Sequence, residues 1–313
     1  MIRIFIHTVL FTVLLGMDSS CSRTSAKKGA ATTAAHKTFT LPEVPATLTA
    51  PEDHAAYLAA HYWDAFDFTD TTLISKPEIT EQALADFINI LLYVPSDKAE
   101  QVLTGLMASA SVDSEMFAHF IELTEKYLYE PNSPFRNEEF YIPVLRYIVA
   151  SPKLDDLYKI RSQYQLEMVQ KNRPGDVAMD FTYTLADGKT GRMHAMKADY
   201  TLLFFNNPDC EECIRVKAHI AASSAFSGLT QTHGGKWPAL VVLAVYPDAE
   251  LGLWRKAEYP SCMTDSYDAG QIITKQQLYD LKAIPTLYLL DKDKRVILKD
   301  ATIETIEQYF QTQ

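Results

Sequence analysis

Two cysteines separated by two residues, in Cys210-Glu211-Glu212-Cys213, are the groups in this sequence most suited to chemistry. Thiols at that spacing, on the first turn of a helix, make and break a disulfide by thiolate attack. The apolar run Leu202-Leu203-Phe204-Phe205 and the polar turn Asn206-Asn207-Pro208-Asp209 precede the pair, and Ile214 to Ile220 can continue it as a helix. A static disulfide, or a vestigial pair in a fold reused for binding, is the competing reading. Four cysteines in all, Cys21, Cys210, Cys213 and Cys262, are too few for a disulfide scaffold and are not spaced as a zinc site. Cys262 is the odd thiol. His54, His61 and His119 lack metal-ligand spacing, so no metal and no cofactor is expected.

Elements that could position the pair lie on both sides of it. Phe181 to Leu185 alternates as a strand, Asp187-Gly188-Lys189 turns, and Arg192-Met193-His194 begins a return strand. Thr201–Phe205, Leu240–Tyr246 and Thr286–Leu290 are continuous apolar runs, as central strands should be. Short helices are expected over Glu250–Ala257 and Gln276–Leu281, a last strand over Arg295–Lys299 and a closing helix over Thr302–Phe310. The expected order is hairpin, β, α, β, α, hairpin, α. Upstream, residues 51–172 show no strand-like alternation. They carry six stretches of helical periodicity, such as Leu84, Phe87, Ile88 and Leu91 on one face. The aromatic cluster Tyr62-Trp63-Asp64-Ala65-Phe66-Asp67-Phe68 reads as filling of a helix joint, with a sugar- or peptide-binding patch as the alternative.

With 313 residues, 47% hydrophobic and 22% charged, the chain can build two packed bodies. A net charge of −11 with no basic block argues against nucleic acid as a partner. Met1-Ile2-Arg3 followed by the apolar run Ile4–Met17 has the length of a signal-peptide core and is short for a membrane span. The segment 1–21 resembles a bacterial lipoprotein signal in its looser Ser19-Ser20-Cys21 form, with Asp18 standing where Leu is usual. That resemblance makes Cys21 the lipidated mature N-terminus; an ordinary cleaved signal is the alternative. Residues 22–50, rich in Ser, Thr, Ala, Lys and Pro, read as a flexible tether.

Residues 173–313 resemble the thioredoxin superfamily, in particular its membrane-tethered TlpA/ResA type. The resemblance rests on the entry segment Gly175 to Phe181, on the cysteine pair, and on Ala283-Ile284-Pro285-Thr286. From about residue 51 onward the chain resembles a family of Bacteroides-group lipoproteins. In that family a helical domain of uncharacterised function precedes such a domain. His61-Tyr62-Trp63-Asp64, Tyr129 to Pro134, Asn207-Pro208-Asp209-Cys210 and Leu281 to Leu287 carry that likeness.

The fold class implied is an α/β thioredoxin-like fold, a central mixed sheet flanked by helices, preceded by an all-α domain over 51–172. The resemblance makes Cys210 the attacking sulfur and Cys213 the resolving one. Pro285 is the cis proline facing them, and Ile284 and Thr286 offer backbone groups to a bound peptide. It implies an exported, lipid-anchored thiol–disulfide oxidoreductase in the cell envelope, facing the periplasm. Its partners are disulfide-containing exported proteins and an upstream thiol donor. Glu211, Glu212 and Asp209 oppose the helix dipole and disfavour thiolate, which points to a reductant. The usual buried acid is missing from Thr201–Phe205, with Asp248 and Glu250 as possible substitutes. A peroxidase is disfavoured, since Asn207 stands where those enzymes have Thr. The competing class is a non-catalytic lipoprotein whose helical domain binds a partner or glycan and whose thioredoxin-like domain is structural.

Overall fold

The computed structural model describes residues 39–232 and 237–312. The signal segment 1–21, with Cys21, and tether residues 22–38 lie outside the described residues. From Phe39 onward the chain forms one compact unit. Phe39, expected in the tether, is docked on the body instead. Phe39 packs 4.9 Å from the ring of Tyr62 and 5.3 Å from that of Trp63, measured between centroids. One aromatic residue in a polar stretch is enough to dock it, because its apolar face gains by leaving water.

Six helices come first: α1 (Pro51–His61), α2 (Thr80–Leu91), α3 (Ser96–Ala110), α4 (Ser114–Leu128), α5 (Glu138–Ala150) and α6 (Asp156–Val169). Their starts are set by local chemistry. Asp113 accepts from the N–H groups of Glu115 and Met116 at 2.9 and 3.0 Å, and Asn137 accepts from Phe140 N–H at 3.2 Å. The faces picked out by periodicity are buried, Leu84, Phe87, Ile88 and Leu91 among them. The aromatic cluster is core: Trp63 is ringed edge-on by Phe66, Phe87 and Phe120 at 5.4 to 5.7 Å.

A seven-stranded mixed sheet follows. Its strands are β1 (Thr182–Leu185), β2 (Thr190–Arg192), β3 (Tyr200–Phe205), β4 (Leu240–Tyr246), β5 (Met263–Tyr267), β6 (Thr286–Asp291) and β7 (Val296–Lys299). They lie in the order β2-β1-β5-β4-β3-β6-β7. β3, β4 and β5 run parallel; β6 is antiparallel to β3, with Phe205 opposite Thr286. Helices α7 (Glu211–Ala222), α8 (Ser224–Leu229), α9 (Leu251–Trp254), α10 (Ile272–Lys275) and α11 (Ile303–Gln311) complete the chain.

The central strands are apolar throughout because both faces are covered. Leu202, Phe204, Leu287 and Leu289 pack with Val216 and Ile220 of α7 and Ile303 and Ile306 of α11. Their alternates, Leu203, Phe205, Tyr288 and Leu290, pack with Phe181, Met193, Ile273 and Tyr279.

Three elements differ from expectation. β5 was missed, because Met263-Thr264-Asp265-Ser266-Tyr267 is polar; it pairs between β4 and β1 and is only partly buried. The helix expected over 276–281 forms earlier, as α10, leaving 276–281 irregular. The return strand ends at Arg192, and Met193–Ala195 is a 3-10 turn that drops Met193 into the core.

The helical and sheet portions meet through buried charge. Glu138, the first residue of α5, forms ion pairs with Lys282, just before Pro285, and with Lys299 of β7, whose Nζ lies 2.8 Å from Oε2. Lys299 also donates to the Val169 and Lys171 carbonyls at 2.9 and 2.7 Å, closing the C-terminus of α6. Lys282 stands 4.1 Å over the ring of Tyr129, whose hydroxyl donates to Asp280 at 3.1 Å. Arg136 pairs with Asp300 at 3.1 Å.

Burial pushes the Glu138 carboxyl up, but the Lys299 and Lys282 charges outweigh it and hold it below the usual range. For Asp300 burial wins over Arg136 and Lys282, and its carboxyl is pushed up to about 6.

Removing one partner of such a cluster strands the others, so Glu138→Ala should cost about 3–5 kcal/mol, read from the urea midpoint. Asp300 acts oppositely to a stabilising carboxylate. Its folded-state affinity for a proton exceeds the unfolded one, so its contribution is present at low pH and lost as pH rises through about 6. Between pH 7 and pH 5 the wild type should gain about 1 kcal/mol relative to Asp300→Asn. Parallel stability curves for the two proteins would contradict this.

Candidate active site

β3 ends at Phe205, and the chain turns through Asn206–Asp209 into α7, which starts at Glu211 with Cys210 as its cap residue. β6 begins at Thr286 directly opposite Phe205. The antiparallel pairing therefore brings the segment before β6 against the segment after β3, across seventy-four residues of sequence. The peptide bond between Ile284 and Pro285 is cis.

Cys210 Sγ lies 3.4 Å from the Ile284 carbonyl, to which the thiol donates, and accepts from Cys213 N–H at 3.2 Å. The sulfur thus takes the place of a capping oxygen at the helix N-terminus, where unpaired N–H groups and the helix dipole favour negative charge. Cys210 is half-buried and Cys213 is buried; both are thiols, as is Cys262. Burial, and then its hydrogen bond to Cys210, push the Cys213 thiol well up. Asn207 N–H lies 3.5 Å from Cys213 Sγ. At neutral pH the two sulfurs are therefore unequal: one accessible and aligned with donors, one held neutral behind it.

The other expected site residues fall as follows. Thr286 is buried at the start of β6, and its hydroxyl donates to the Ala283 carbonyl at 2.6 Å, closing the proline loop from inside. Ile284 and Pro285 border a cavity of about 330 Å³. Glu212 is gripped by Arg215, with Nε at 2.9 and 3.0 Å from its two oxygens; Arg215 also reaches Glu304 at 2.8 Å. Its negative charge is largely matched, whereas Asp209 and Glu211 project into solvent. Lys217 does not join them; it donates to the Glu258 carbonyl at 2.8 Å.

Asp248 and Glu250, suggested as proton acceptors, are exposed, and Asp248 accepts from Asn207 Nδ2 at 3.0 Å. They cannot play the part of a buried acid. Behind Cys213 lies instead Tyr259, whose hydroxyl donates to Asn206 Oδ1 at 2.7 Å. Burial, then the charges of Asp265 and Cys213, hold the Tyr259 phenol well above its ordinary value. The sequence does not single out Tyr259. Nothing local marks it, because the loop that carries it returns along the sheet from α9. Cys262 sits just before β5, whose first residue pairs with Val242 in the early part of β4, and so belongs to the far end of the sheet from the pair. A larger cavity, about 820 Å³, is lined by His54, Leu58, Ile90 and Tyr93 of the helical portion, away from the thiols.

A mixed sheet with a Cys-x-x-Cys pair capping a helix opposite a cis proline defines a thioredoxin-like protein. Residues 20–172 match the family described as Domain of unknown function (DUF5106). A crystal structure of a thioredoxin-like protein from Bacteroides caccae is 47% identical, spans 88% of this chain and 99% of its own, and superposes with a TM-score of 0.85. The C-terminal domain of an uncharacterized protein from Bacteroides fragilis is 46% identical over 45% of this chain and 98% of its own, with a TM-score of 0.42. The thioredoxin domain of a thiol-disulfide oxidoreductase from Bacteroides vulgatus is 15% identical over 44% of this chain and 98% of its own, with a TM-score of 0.35. No curated protein matches. The chain belongs to the family of the Bacteroides caccae thioredoxin-like protein.

The inequality of the two thiols gives a direct expectation. Limiting iodoacetamide on the native, reduced protein should modify Cys210 roughly tenfold or more faster than Cys213, read by peptide mass spectrometry. Comparable rates would contradict the geometry.

Proposed function

We propose that this protein is an exported, lipid-anchored thiol–disulfide oxidoreductase that reduces disulfides of other exported proteins. The observation that carries the reading is Cys210 Sγ, placed at the N-terminus of α7, accepting from Cys213 N–H and lying against the carbonyl before Pro285. Anchoring through Cys21, and a location facing the periplasm, rest on the sequence of the first twenty-one residues.

In the reaction Cys210 acts as thiolate and attacks one sulfur of a substrate disulfide. A Cys210–substrate S–S bond forms, the substrate S–S bond breaks, and the departing thiolate takes up a proton. Cys213 then loses its proton and attacks Cys210 Sγ, releasing the second substrate thiol. Two electrons pass from the dithiol to the substrate, leaving a Cys210–Cys213 disulfide that an upstream thiol donor must reduce. Burial holds Cys213 in its neutral form, so Cys210 is the sulfur that attacks first. The carboxylates of Asp209 and Glu211 beside the pair are exposed, and the direction proposed is that of a reductant.

In an insulin-reduction assay with a chemical thiol donor, the wild type should turn over and Cys210→Ser should fall to background. Cysteine-independent turnover, or none, would favour a binding protein with a structural thioredoxin-like portion. The pair should equilibrate near about −270 mV against glutathione, and a value near about −120 mV would reverse the proposed direction. A Cys213→Ala variant should retain its partner as a mixed disulfide and so identify it.

A further inference from the structure

We infer that Tyr259 is a positioning residue for the second half of the reaction: through Asn206 it keeps the Asn207 N–H on Cys213 Sγ, the sulfur that must attack the mixed disulfide. This rests on the proposed thiol–disulfide activity and adds the residue that serves the buried sulfur.

Cys213 has a task that its surroundings oppose. It is 3% exposed, and burial, then the hydrogen bond to Cys210, push its thiol up. Yet it has to attack Cys210 Sγ, so that the Cys213–Cys210 bond forms and the Cys210–substrate bond breaks. Its proton passes to the departing substrate sulfur. Negative charge gathering on a buried sulfur needs a donor already in place. The Asn207 N–H, 3.5 Å from Sγ, is such a donor, and it draws the thiol back down.

The direction of that N–H is set by the residue before it. Asn206 is buried, and its side chain is held at three points. Nδ2 donates to the Phe204 and Val245 carbonyls at 3.1 and 3.3 Å, which β3 and β4 fix. Oδ1 accepts from the Tyr259 hydroxyl at 2.7 Å, and this third hold comes from the loop between α9 and β5. Without the hydroxyl a buried oxygen loses its donor, and the Asn206–Asn207 turn is free to shift.

Tyr259 is seated for this part. Its ring lies 4.8 Å from Lys217 Nζ, and Lys217 stands one turn beyond Cys213 on the same face of α7. Lys217 also donates to the carbonyl of Glu258, the residue before Tyr259, at 2.8 Å. The phenol keeps its proton, because burial, then the charges of Asp265 and Cys213, hold it above its ordinary value. It therefore orients Asn206 and carries no proton away. The titratable groups facing Cys213 and Tyr259 are Cys210 at the head of α7, Glu212 and Lys217 on it, Tyr246 of β4 and Asp265 of β5. All of them are kept in Tyr259→Phe, as is the ring.

The test separates the two sulfurs in the full chain. Reduced protein is mixed with a substoichiometric amount of dithiobis(nitrobenzoate), and coloured thionitrobenzoate is followed by stopped flow. Attack by Cys210 releases the first thionitrobenzoate, and attack by Cys213 on the mixed disulfide releases the second. Cys213→Ala, which can give only the first, identifies the phases. In Tyr259→Phe the first phase should match the wild type, which also shows that the variant folds. The second should slow by about threefold at pH 7, with its pH profile displaced upward. A lost hydrogen bond lowers the thiolate fraction by up to about tenfold, and the more basic sulfur regains roughly half of that, on a logarithmic scale, as nucleophilicity. An unchanged second phase, or two phases slowed alike, overturns the positioning role and leaves the oxidoreductase reading intact. A wild type that behaves like Cys213→Ala overturns that reading and the positioning role with it.

Discussion

The structure depends on one buried carboxylate. Glu138 sits in the seam with two lysines on it, Lys282 from the proline loop and Lys299 from the edge strand. A lone carboxylate there would be neutral or solvated, and a lone ammonium would be worse. Held together, and with Lys299 also closing the end of α6, the three groups fix helix, strand and loop relative to each other. Electrostatic satisfaction of this kind is directional where apolar burial is not. It therefore settles which way the helical portion faces, and what it faces is the loop that carries Pro285.

That placement connects the fold to the chemistry. The sheet alone brings Cys210 and Ile284 together, because β3 and β6 are antiparallel neighbours with Phe205 opposite Thr286. The seam adds a second support to the same loop, through Lys282 and Asp280 from below and Tyr129 from the side. The loop whose carbonyl meets Cys210 Sγ is thus held by both portions of the chain. The helical portion is part of the site's frame, which gives a physical reason for the two portions to occur together over 88% of this chain in the Bacteroides caccae relative.

The pair itself works by contrast between two equal side chains. Cys210 has a helix terminus and an open face; Cys213 has neither and is buried. The acids between them matter less than their number suggests, because Arg215 engages Glu212 and leaves Glu211 and Asp209 as the exposed charges. On the buried side stands a phenol, Tyr259, with the amide of Asn206, while Asp248 and Glu250 lie exposed.

Much of this was legible in the linear chain. Helical periodicity marked the six helices, continuous apolar runs marked β3, β4 and β6, and a Cys-x-x-Cys after a strand marked the start of α7. Those features are local: a few consecutive side chains decide them. β5 escaped because a polar, half-covered strand has no hydrophobic period, and α10 because a single helical turn carries too few residues to show one. Phe39 docked where composition indicated only tether. Tertiary structure alone decided the rest. It set Cys210 against Ile284 through strand pairing, joined Glu138 to Lys282 across 144 residues, and turned Thr286 inward. Each of these depends on groups that meet only after both faces of the sheet are covered, since a contact between distant residues has no signature in either neighbourhood taken by itself.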